Sequence, residues 1–312
     1  MHQLTTLTDD QGHHFLEHGY VVIRNAIPRP FIEEQQRRMW IRLGYDPNDT
    51  STWERARIAM EGRDRWDVSE LASQAWGAAV DLLGGEDRVL TPYTWSDGFI
   101  VNLGVMADQL WQEPSREFPG WHKDGDFFRH FLDSPEQGLL TLVLWTDVRS
   151  RGGATFIATD SVPAVARYLA KHPEGVTPEE LRSAYTQILS ECTQFAEATG
   201  SAGDVYLLHP YMLHATAPNI LRDGRAITNP PIKLKNPMCF NRDDGAYSLL
   251  ERAVLRGLGV DHYSFIPTHV RESANPPSRQ ARLAEHKVSR QLEDERLAKA
   301  GKPLRWPVPA SV

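Results

Sequence analysis

The sequence contains few cysteines and no long apolar run. Its 312 residues include only Cys192 and Cys239, which are too few for a disulfide framework and have no CxxC spacing. No stretch approaches the roughly 20 apolar residues that a membrane-spanning helix needs. The first residues lack the basic start and the apolar region of a signal peptide. We therefore expect a cytoplasmic protein in a reducing compartment, with no membrane association.

The sequence also lacks an excess of positive charge. Its 34 lysines and arginines stand against 41 acidic residues, which gives a formal net charge of −7. Because nucleic-acid binding needs clustered cations for the phosphates, we expect no nucleic-acid partner. The 41% of hydrophobic residues and 24% of charged residues are ordinary for a globular protein. The length suits one large domain or two small ones, and nine tryptophans suggest a roomy, aromatic-lined interior.

The central part of the chain has the pattern of an antiparallel β-domain. From about residue 98, short apolar and β-branched runs alternate with turns marked by glycine, such as Gly152-Gly153, Gly203 and Gly224. This pattern is typical of a sandwich or barrel such as a jelly roll. The predicted strands are 99–103, 139–145, 154–157, 204–208 and 225–228.

Helices are predicted before, within and after this β-rich region. Thr8 is a candidate N-cap for a helix that ends at Gly19, and residues 20–23 follow as a strand. The capping box that begins at Thr177 predicts a helix from 178 to about 198. Further helices are predicted at 31–43, 68–83, 247–258 and 279–300, and a loop at 44–64. Because both charge signs mix along 279–300, we expect a solvated helix there rather than a binding surface.

Two segments carry candidate metal ligands. His122 and Asp124 are two residues apart and would share one face of an extended strand, and an imidazole with a carboxylate suits Fe(II). Downstream, a strand carries His209 and His214, and either could be the distal ligand. Arg225 opens the next strand, eleven residues after His214, where its guanidinium could bind a carboxylate through two parallel hydrogen bonds.

The ordered set of His122-x-Asp124, His214 and Arg225 resembles the phytanoyl-CoA dioxygenase branch of Fe(II)/2-oxoglutarate oxygenases. Residues 203–219 are similar to that family's G-D-x-x-x-x-H-x-x-x-x-H stretch, in which the second histidine is the ligand. The resemblance implies that His122, Asp124 and His214 bind the metal and that Arg225 binds the far carboxylate of 2-oxoglutarate. His209 would then be a core histidine. Thr216 and Trp145 would line the co-substrate pocket, although both suit ordinary packing equally well.

The resemblance also implies a fold and a reaction. The fold would be mainly β with flanking helices around a double-stranded β-helix, a cupin-like jelly roll. The cofactors would be Fe(II), 2-oxoglutarate and O2, and the enzyme would hydroxylate, or otherwise oxidise, a C–H bond of a small, partly apolar substrate with release of succinate and CO2. Asp124 favours this outcome over halogenation, since related halogenases carry a small residue there. One oxygenase domain would cover 1–312, with the jelly-roll core at about 98–240, N-terminal helices and the first strand at 8–85, a helical insertion at about 177–198 and a C-terminal helical extension at 241–312.

Two alternative functions and several neighbouring residues stay open at this point. A zinc hydrolase could use the same three ligands, and a non-catalytic jelly roll could simply bind a small molecule. Lys123 is expected to point to solvent, and Asp126 to contact substrate or the ligand residues at most. Arg116 and Arg129 are expected on the solvated surface, Arg222 on a turn, and we identify no cationic cluster that would bind the phosphates of coenzyme A. Half of the aromatic residues near His122 are expected in the core and the rest around an apolar substrate pocket: Trp111, Phe118, Trp121, Phe127, Phe128 and Phe131.

Overall fold

The computed structural model of the protein describes residues 4–104 and 110–301. Its strands are β1 (Tyr20–Ile23), β2 (Arg57–Ala59), β3 (Arg65–Asp67), β4 (Thr94–Ser96), β5 (Ile100–Asn102), β6 (Leu139–Leu144), β7 (Thr155–Ala158), β8 (Phe195–Ala198), β9 (Val205–Leu208), β10 (Leu213–Thr216), β11 (Arg225–Thr228) and β12 (Pro231–Ile232). Its α-helices are α1 (Asp9–His18), α2 (Arg29–Leu43), α3 (Val68–Leu71), α4 (Ser73–Leu83), α5 (Ser161–Ala170), α6 (Pro178–Leu189), α7 (Leu249–Leu258) and α8 (Pro277–Ala300).

Two antiparallel sheets form the centre of the fold. The larger sheet has the strand order β1-β9-β6-β11-β5-β2, and β12 pairs with β6 at its side. The smaller sheet has the order β10-β7-β8, and β3 and β4 form a separate pair. Strands that are distant in sequence are neighbours in both sheets, which is the arrangement of a jelly roll. The predicted fold class, mainly β with flanking helices, is confirmed.

Side chains alternate between the two faces of the larger sheet and divide the core in two. Along β6, Leu140, Leu142 and Leu144 belong to an apolar cluster between the sheets, whereas Leu139 and Val143 belong to the cluster on the helix side. The interior cluster is completed by Ala198, Tyr206, Leu208 and Ile227, with Ile157 from β7. A residue of this sheet therefore faces the jelly-roll interior or the helices according to its place in the alternation.

The predicted bounds of α1 agree with the structure, whereas for α6 only the predicted start does. The Thr8 capping box and the left-handed Gly19 bound α1 as expected. Helix α6 also begins at its predicted capping box but ends at Leu189, and residues 195–198 form strand β8 instead of continuing the helix. Asp160 accepts hydrogen bonds from the backbone N–H groups of Thr193 and Gln194, which leads the chain into pairing with β7. The prediction of a helix to about 198 is wrong because this pairing is a tertiary contact.

Three other segments differ from the prediction. Strand β2 lies inside the supposed loop at 44–64 and pairs with β5. The predicted helix at 68–83 is divided at Ala72, whose φ of −141° is not helical. Helix α5 has no counterpart among the predicted elements. Each difference depends on contacts with sequence-distant parts of the fold, which local periodicity does not report.

Helix α8 is anchored to the body of the protein rather than merely solvated. It packs along α2, where the buried Glu293 accepts a hydrogen bond from Nε of Arg42 at 2.8 Å. Two surface ion pairs, Arg55–Glu285 and Arg290–Glu61, connect it to the segment around β2. The mixed charges of this helix are therefore largely used for docking.

Across residues 4–104 and 110–301, each helix is too short or too polar to cross a bilayer.

Candidate active site

Three side chains that are separate in sequence meet beside strand β10. His122 and His214 form an antiparallel backbone bridge, with N–H···O distances of 2.9 Å in both directions. Oδ1 of Asp124 lies 3.7 Å from Nε2 of His122 and 3.5 Å from Nε2 of His214. One ligand atom from each residue falls within 4.8 Å of the other two. An ion with bonds of about 2.1 Å can bridge atoms up to about 4.2 Å apart, so both carboxylate–imidazole distances suit a shared metal.

Hydrogen bonds orient all three side chains. Nδ1 of His122 lies 2.8 Å from the Gly120 carbonyl oxygen, and Nδ1 of His214 lies 3.1 Å from that of Met212. Because a carbonyl oxygen only accepts, each Nδ1 carries a proton, and each Nε2 is directed towards Asp124 as the atom available to a metal. Nδ2 of Asn229 donates to Oδ2 of Asp124 at 2.8 Å, which leaves Oδ1 for the centre.

The electrostatics favour the metal-binding forms of Asp124 and His122, whereas Asp124 stabilises a proton on His214 that a bound metal would replace. Burial opposes ionisation of Asp124, but the nearby imidazoles and the hydrogen bonds from His214 and Asn229 outweigh it, so the pKa of Asp124 lies far below its usual range. Burial, together with His214, lowers the pKa of His122. Burial also opposes the protonation of His214, but Asp124 outweighs it and raises the pKa of that group. An ionised carboxylate and an unprotonated imidazole are the ligand forms.

Gly125 explains why the chain does not continue as a strand after Asp124. Its φ is +122°, and a Cβ there would lie 2.6 Å from Cε1 of His130 and 2.7 Å from a ring carbon of Phe128. Only glycine fits this close turn without a shift of its neighbours. The turn carries Asp126 away from the three ligands, and its carboxylate accepts hydrogen bonds from two arginines of α8.

The structure distinguishes between the two candidates for the second histidine ligand, His209 and His214. His209 is fully buried, with Nε2 3.3 Å from the Leu250 carbonyl oxygen and Nδ1 accepting from the Tyr211 N–H. Burial lowers its pKa to about 3. Its two nitrogens are thus engaged within the core, whereas His214 lies beside His122 and Asp124.

Arg225 is a buried cation, and most of its N–H groups have no hydrogen-bond acceptor in the described part of the chain. It is 1% exposed, and its one hydrogen bond among the described residues runs from Nη2 to Oγ1 of Thr155 at 2.9 Å. Its Nε and Nη1 are buried and have no partner in the described part of the chain. Burial, with repulsion from Arg57, lowers its pKa to about 9, so it stays charged at neutral pH. Arg222, the alternative in the sequence, is exposed in a turn with a φ of 56°.

The strand register places Thr216, but not Trp145, on the side of the strands that faces Arg225. Thr216 faces the same side of β10 as His214 and pairs directly with Thr155, the hydrogen-bond partner of Arg225. Trp145 is wholly buried on the helix side of the larger sheet, where its ring packs against Phe31 of α2 and its Nε1 donates to Thr228. The structure therefore gives Trp145 a packing role, because the alternation of the strand points it away from Arg225 and Ile227.

A cavity of about 1100 Å³ opens beside His122 and Asp124. Of the aromatic residues near His122, Phe118, Trp121 and Phe127 line it. Phe128 and Phe131 are buried, and Trp111 packs edge-on against Phe156. The expected division between core and pocket is confirmed for these residues.

Lys123 lies between two ligand residues and is buried, so the expectation that it points to solvent is wrong. Its Nζ lies within hydrogen-bonding distance of the Asp124 carbonyl oxygen, Nδ1 of His130 and Oε1 of Gln137, at 3.1 to 3.2 Å. Burial lowers its pKa to about 7. The alternation that points His122 and Asp124 to the centre turns Lys123 away from it, and these three groups surround its amine in another part of the cavity wall.

Several residues of the site were missed in the sequence. Asn229 carried a usable signal, because it follows β11 four positions after Arg225 and so falls on the same side in the alternation. Arg182 of α6 and two arginines of α8, Arg279 and Arg282, line the cavity with Arg116. The expectation that no cationic cluster lies near the site is therefore wrong. The cluster is not visible in the sequence because its arginines come from distant segments. Arg129, in contrast, pairs with Glu272 at 3.5 Å.

No protein-family model matches the chain, and neither does any curated protein. Among solved structures, EctD from S. alaskensis, crystallised with 2-oxoglutarate and 5-hydroxyectoine, is 17% identical over 73% of this chain and 77% of its own, with a TM-score of 0.42. The non-heme alpha ketoglutarate dependent carbocyclase SnoK from nogalamycin biosynthesis is 13% identical over 86% and 97%, with a TM-score of 0.39. HygX from Streptomyces hygroscopicus, with nickel and 2-oxoglutarate bound, is 14% identical over 72% and 85%, with a TM-score of 0.37. These similarities are low, and a functional assignment depends on the site itself.

Proposed function

We propose that the protein is an Fe(II)- and 2-oxoglutarate-dependent dioxygenase of the phytanoyl-CoA dioxygenase type, acting in the cytoplasm on a small organic substrate. The observation that carries the proposal is the buried, almost unpartnered guanidinium of Arg225 on the same interior side as the His122, Asp124 and His214 cluster. A buried charge without a partner is costly, so its presence indicates a ligand of opposite charge.

The donor set supports iron as the metal. Two imidazole nitrogens and one carboxylate oxygen can occupy one face of an octahedral ion and leave the other positions open, as in non-haem Fe(II) oxygenases. His122 and His214 would each bind through Nε2, and Asp124 through Oδ1. The backbone carbonyl partners of the two histidines and the amide of Asn229 hold these ligands in place before the metal binds.

The arrangement around Arg225 supports 2-oxoglutarate as the co-substrate. His214 and Thr216 lie two residues apart on one side of β10, a separation of about 6.6 Å, and Thr216 is the cross-strand neighbour of Thr155. The interior therefore presents a metal site at one end and a guanidinium at the other. A dicarboxylate with a 2-keto group would match both ends. Arg57 pairs with Asn102 in the same register as Arg225 and adds a second positive charge on that side.

The protein's own residues would bind and orient the reactants. Together, bound iron and 2-oxoglutarate would supply the oxidant: one O2 converts 2-oxoglutarate to succinate and CO2 and delivers one oxygen atom to a substrate C–H bond. Arg225 and Thr155 would fix the far carboxylate and so the position of the keto acid. The apolar walls from Met60, Trp121 and Phe127 would keep water from the reacting C–H bond.

The alternative functions explain less of the site. A zinc hydrolase could use the same three ligands but has no use for a buried guanidinium on β11 of the other sheet. A non-catalytic binding protein would not need the Nε2 atoms of both histidines directed at the Asp124 carboxylate. Hydroxylation, or a related desaturation or ring-forming oxidation, is preferred to halogenation because Asp124 occupies a coordination position that a halide would need.

Succinate formation tests the proposal. Protein reconstituted with Fe(II) should form succinate from 2-oxoglutarate in an O2-dependent reaction, slowly alone and faster with a substrate from a screened panel. His122→Ala, Asp124→Ala and His214→Ala should each abolish it. His172→Ala, at a partly exposed histidine outside the cavity lining, is the matched control and should have no effect.

Three outcomes would count against the proposal. Succinate formation that survives Asp124→Ala would remove the metal assignment. Absence of O2-dependent succinate from the folded, iron-loaded protein would remove the dioxygenase assignment. Tight zinc binding with ester hydrolysis would favour the hydrolase.

A further inference from the structure

The cavity beside the metal cluster has an unusual distribution of charge. The charged side chains that line it are four arginines, one lysine and three carboxylates, and two residues of the metal cluster, His122 and Asp124, belong to the same lining. Arg116 can be set aside, because it donates to the Ser190 carbonyl oxygen and its neighbour Glu117 lies 4.0 Å away. The remaining arginines come from helices α6 and α8.

Arg182 of α6 is a cation that the chain leaves without a carboxylate. Its side chain is exposed and lines the cavity, and none of the residues in 4–104 and 110–301 forms a hydrogen bond or ion pair with it. Its charge reaches the cavity wall, where it offsets part of the rise that burial causes in the pKa of Tyr185. An anion in the cavity would therefore meet a guanidinium whose donors are available.

Arg279 and Arg282 of α8 share one carboxylate. Arg279 donates to Oδ1 of Asp126 at 3.3 Å, and Arg282 donates to Oδ2 at 3.2 Å. Each guanidinium has five N–H donors, and one Asp126 charge cannot neutralise both arginines. The pair therefore keeps one positive charge and several donors on the cavity wall. Lys123, in contrast, has its three donors engaged by groups at 3.1 to 3.2 Å and does not add to this receptor.

Apolar side chains also form part of the wall. Met60, Ile100, Phe118, Trp121 and Phe127 line the cavity along with the arginines. A ligand that satisfies both features has an acidic group and an apolar body. Arginine suits this task because its planar fork binds carboxylate or phosphate oxygens in pairs.

We propose that this cavity selects an organic acid as the substrate, with its carboxylate or phosphate bound between Arg182 of α6 and the Arg279–Arg282 pair of α8. The inference rests on the proposed function and names the substrate class for it. The acidic group anchors the molecule at the helices, and the apolar body lies along the aromatic wall, with a C–H bond directed to the metal cluster. Helix α8 is thus part of the specificity site, and Arg182, Arg279 and Arg282 are its specificity-determining residues.

Binding under anaerobic conditions tests this directly, because no turnover occurs. Protein loaded with Fe(II) and saturating 2-oxoglutarate is titrated calorimetrically with 2-naphthoate, 2-naphthyl phosphate and the uncharged 2-naphthamide, and then with further acid–amide pairs on larger aromatic and alkyl frames. The best acid should bind at least about tenfold more tightly than its amide, a difference of about 1.4 kcal/mol. The ratio of phosphate to carboxylate affinity identifies which oxyanion the arginines prefer.

Variants with opposite expected signs separate recognition from a structural effect. Arg182→Gln should weaken acid binding about tenfold and leave amide binding unchanged. Asp126→Asn frees the arginine pair and should tighten acid binding several-fold. Arg167→Gln is the matched control, since Arg167 is a surface arginine paired with Glu191 outside the cavity lining.

The proposal is wrong if no acid in the panel binds more tightly than its amide, or if Arg182→Gln weakens acid and amide equally. It is also wrong if saturating 2-oxoglutarate abolishes acid binding, since the acid would then occupy the Arg225 site. These outcomes are distinct from failure of the proposed function. Succinate formation without acid preference removes only the substrate class, whereas acid preference without succinate formation removes only the dioxygenase assignment.

Discussion

Arg42 and Arg225 are both 1% exposed, but their surroundings are opposite. Arg42 donates from Nη1 to Oδ2 and the carbonyl oxygen of Asp97 at 2.8 and 2.7 Å, and from Nε to Glu293 at 2.8 Å. Its Nη2 donates to the Glu61 carbonyl oxygen. Arg225 has one hydrogen bond, to Thr155, and two buried nitrogens without a partner in the described part of the chain.

The difference separates a structural arginine from a ligand-binding one. A buried guanidinium is tolerated when carboxylates and carbonyl oxygens satisfy it, and Arg42 meets that condition within the chain. It joins α2, the segment before β5 and α8. Arg225 meets the condition only when something else supplies the oxygens. Burial alone, which is equal for the two, does not reveal which arginine has a function.

The largest expected effect is on stability, at Arg42. Arg42→Met leaves Asp97 buried without its cation and Glu293 with Arg63 alone, so the free energy of unfolding should fall by about 3–5 kcal/mol. Urea unfolding measures it, with Arg222→Met as a surface control that should stay within about 0.5 kcal/mol of the wild type. A loss below 1 kcal/mol for Arg42→Met would mean that the network is not a structural anchor.

The next effect concerns the shape of the cation at position 225. Arg225→Lys keeps the charge but loses the planar fork, so 2-oxoglutarate should bind about tenfold more weakly, a change of about 1.4 kcal/mol. Calorimetric titration of the anaerobic, iron-loaded protein measures this. Unchanged affinity would show that only charge, and not paired hydrogen bonds, is needed there.

A smaller effect is expected at the one partner that Arg225 has. Thr155→Val removes the hydroxyl that accepts from Nη2, so the guanidinium is held less firmly and 2-oxoglutarate affinity should fall by about 1 kcal/mol, roughly fivefold. Thr216→Val, at the cross-strand neighbour, is the comparison variant. An equal loss in both variants would place Thr216 among the residues that hold the co-substrate.

The smallest expected effect is on stability at Arg225, and it tests most directly whether Arg225 differs from Arg42. Arg225→Met removes a buried, unsatisfied charge, so the unfolding free energy of the ligand-free protein should stay the same or rise slightly, opposite to Arg42→Met. Urea unfolding without metal or 2-oxoglutarate is the measurement. A fall of several kcal/mol would show that Arg225 is a structural residue like Arg42.

Sequence reasoning reached those parts of the fold that local signals specify. The Thr8 and Thr177 capping boxes marked helix starts, and alternating strands indicated the jelly roll. The family resemblance of His122-x-Asp124 and His214 selected three side chains that the fold brings together, on one strand bridge and the turn after it.

The remainder depends on contacts between distant segments. The end of α6 is decided by the pairing of β8 with β7, and the burial of Lys123 by His130 and Gln137. The docking of α8 through Glu293 brings Arg279 and Arg282 to the cavity beside His122. These arginines lie more than 150 residues after His122 in the sequence. The orientation of Trp145 could not be predicted for the same reason. The sequence does not say which face of β6 packs against the helices, and Trp145 lies on that face.

The affinity of the anaerobic, iron-loaded protein for 2-oxoglutarate, in the wild type and in Arg225→Met, tests the central claim most directly. Removal of a buried charge that pairs with a carboxylate should cost at least about 2 kcal/mol, so the variant should bind at least about 30-fold more weakly. Arg222→Met should bind as the wild type does. Equal affinity in the wild type and in a folded Arg225→Met variant would contradict the claim that this site holds 2-oxoglutarate.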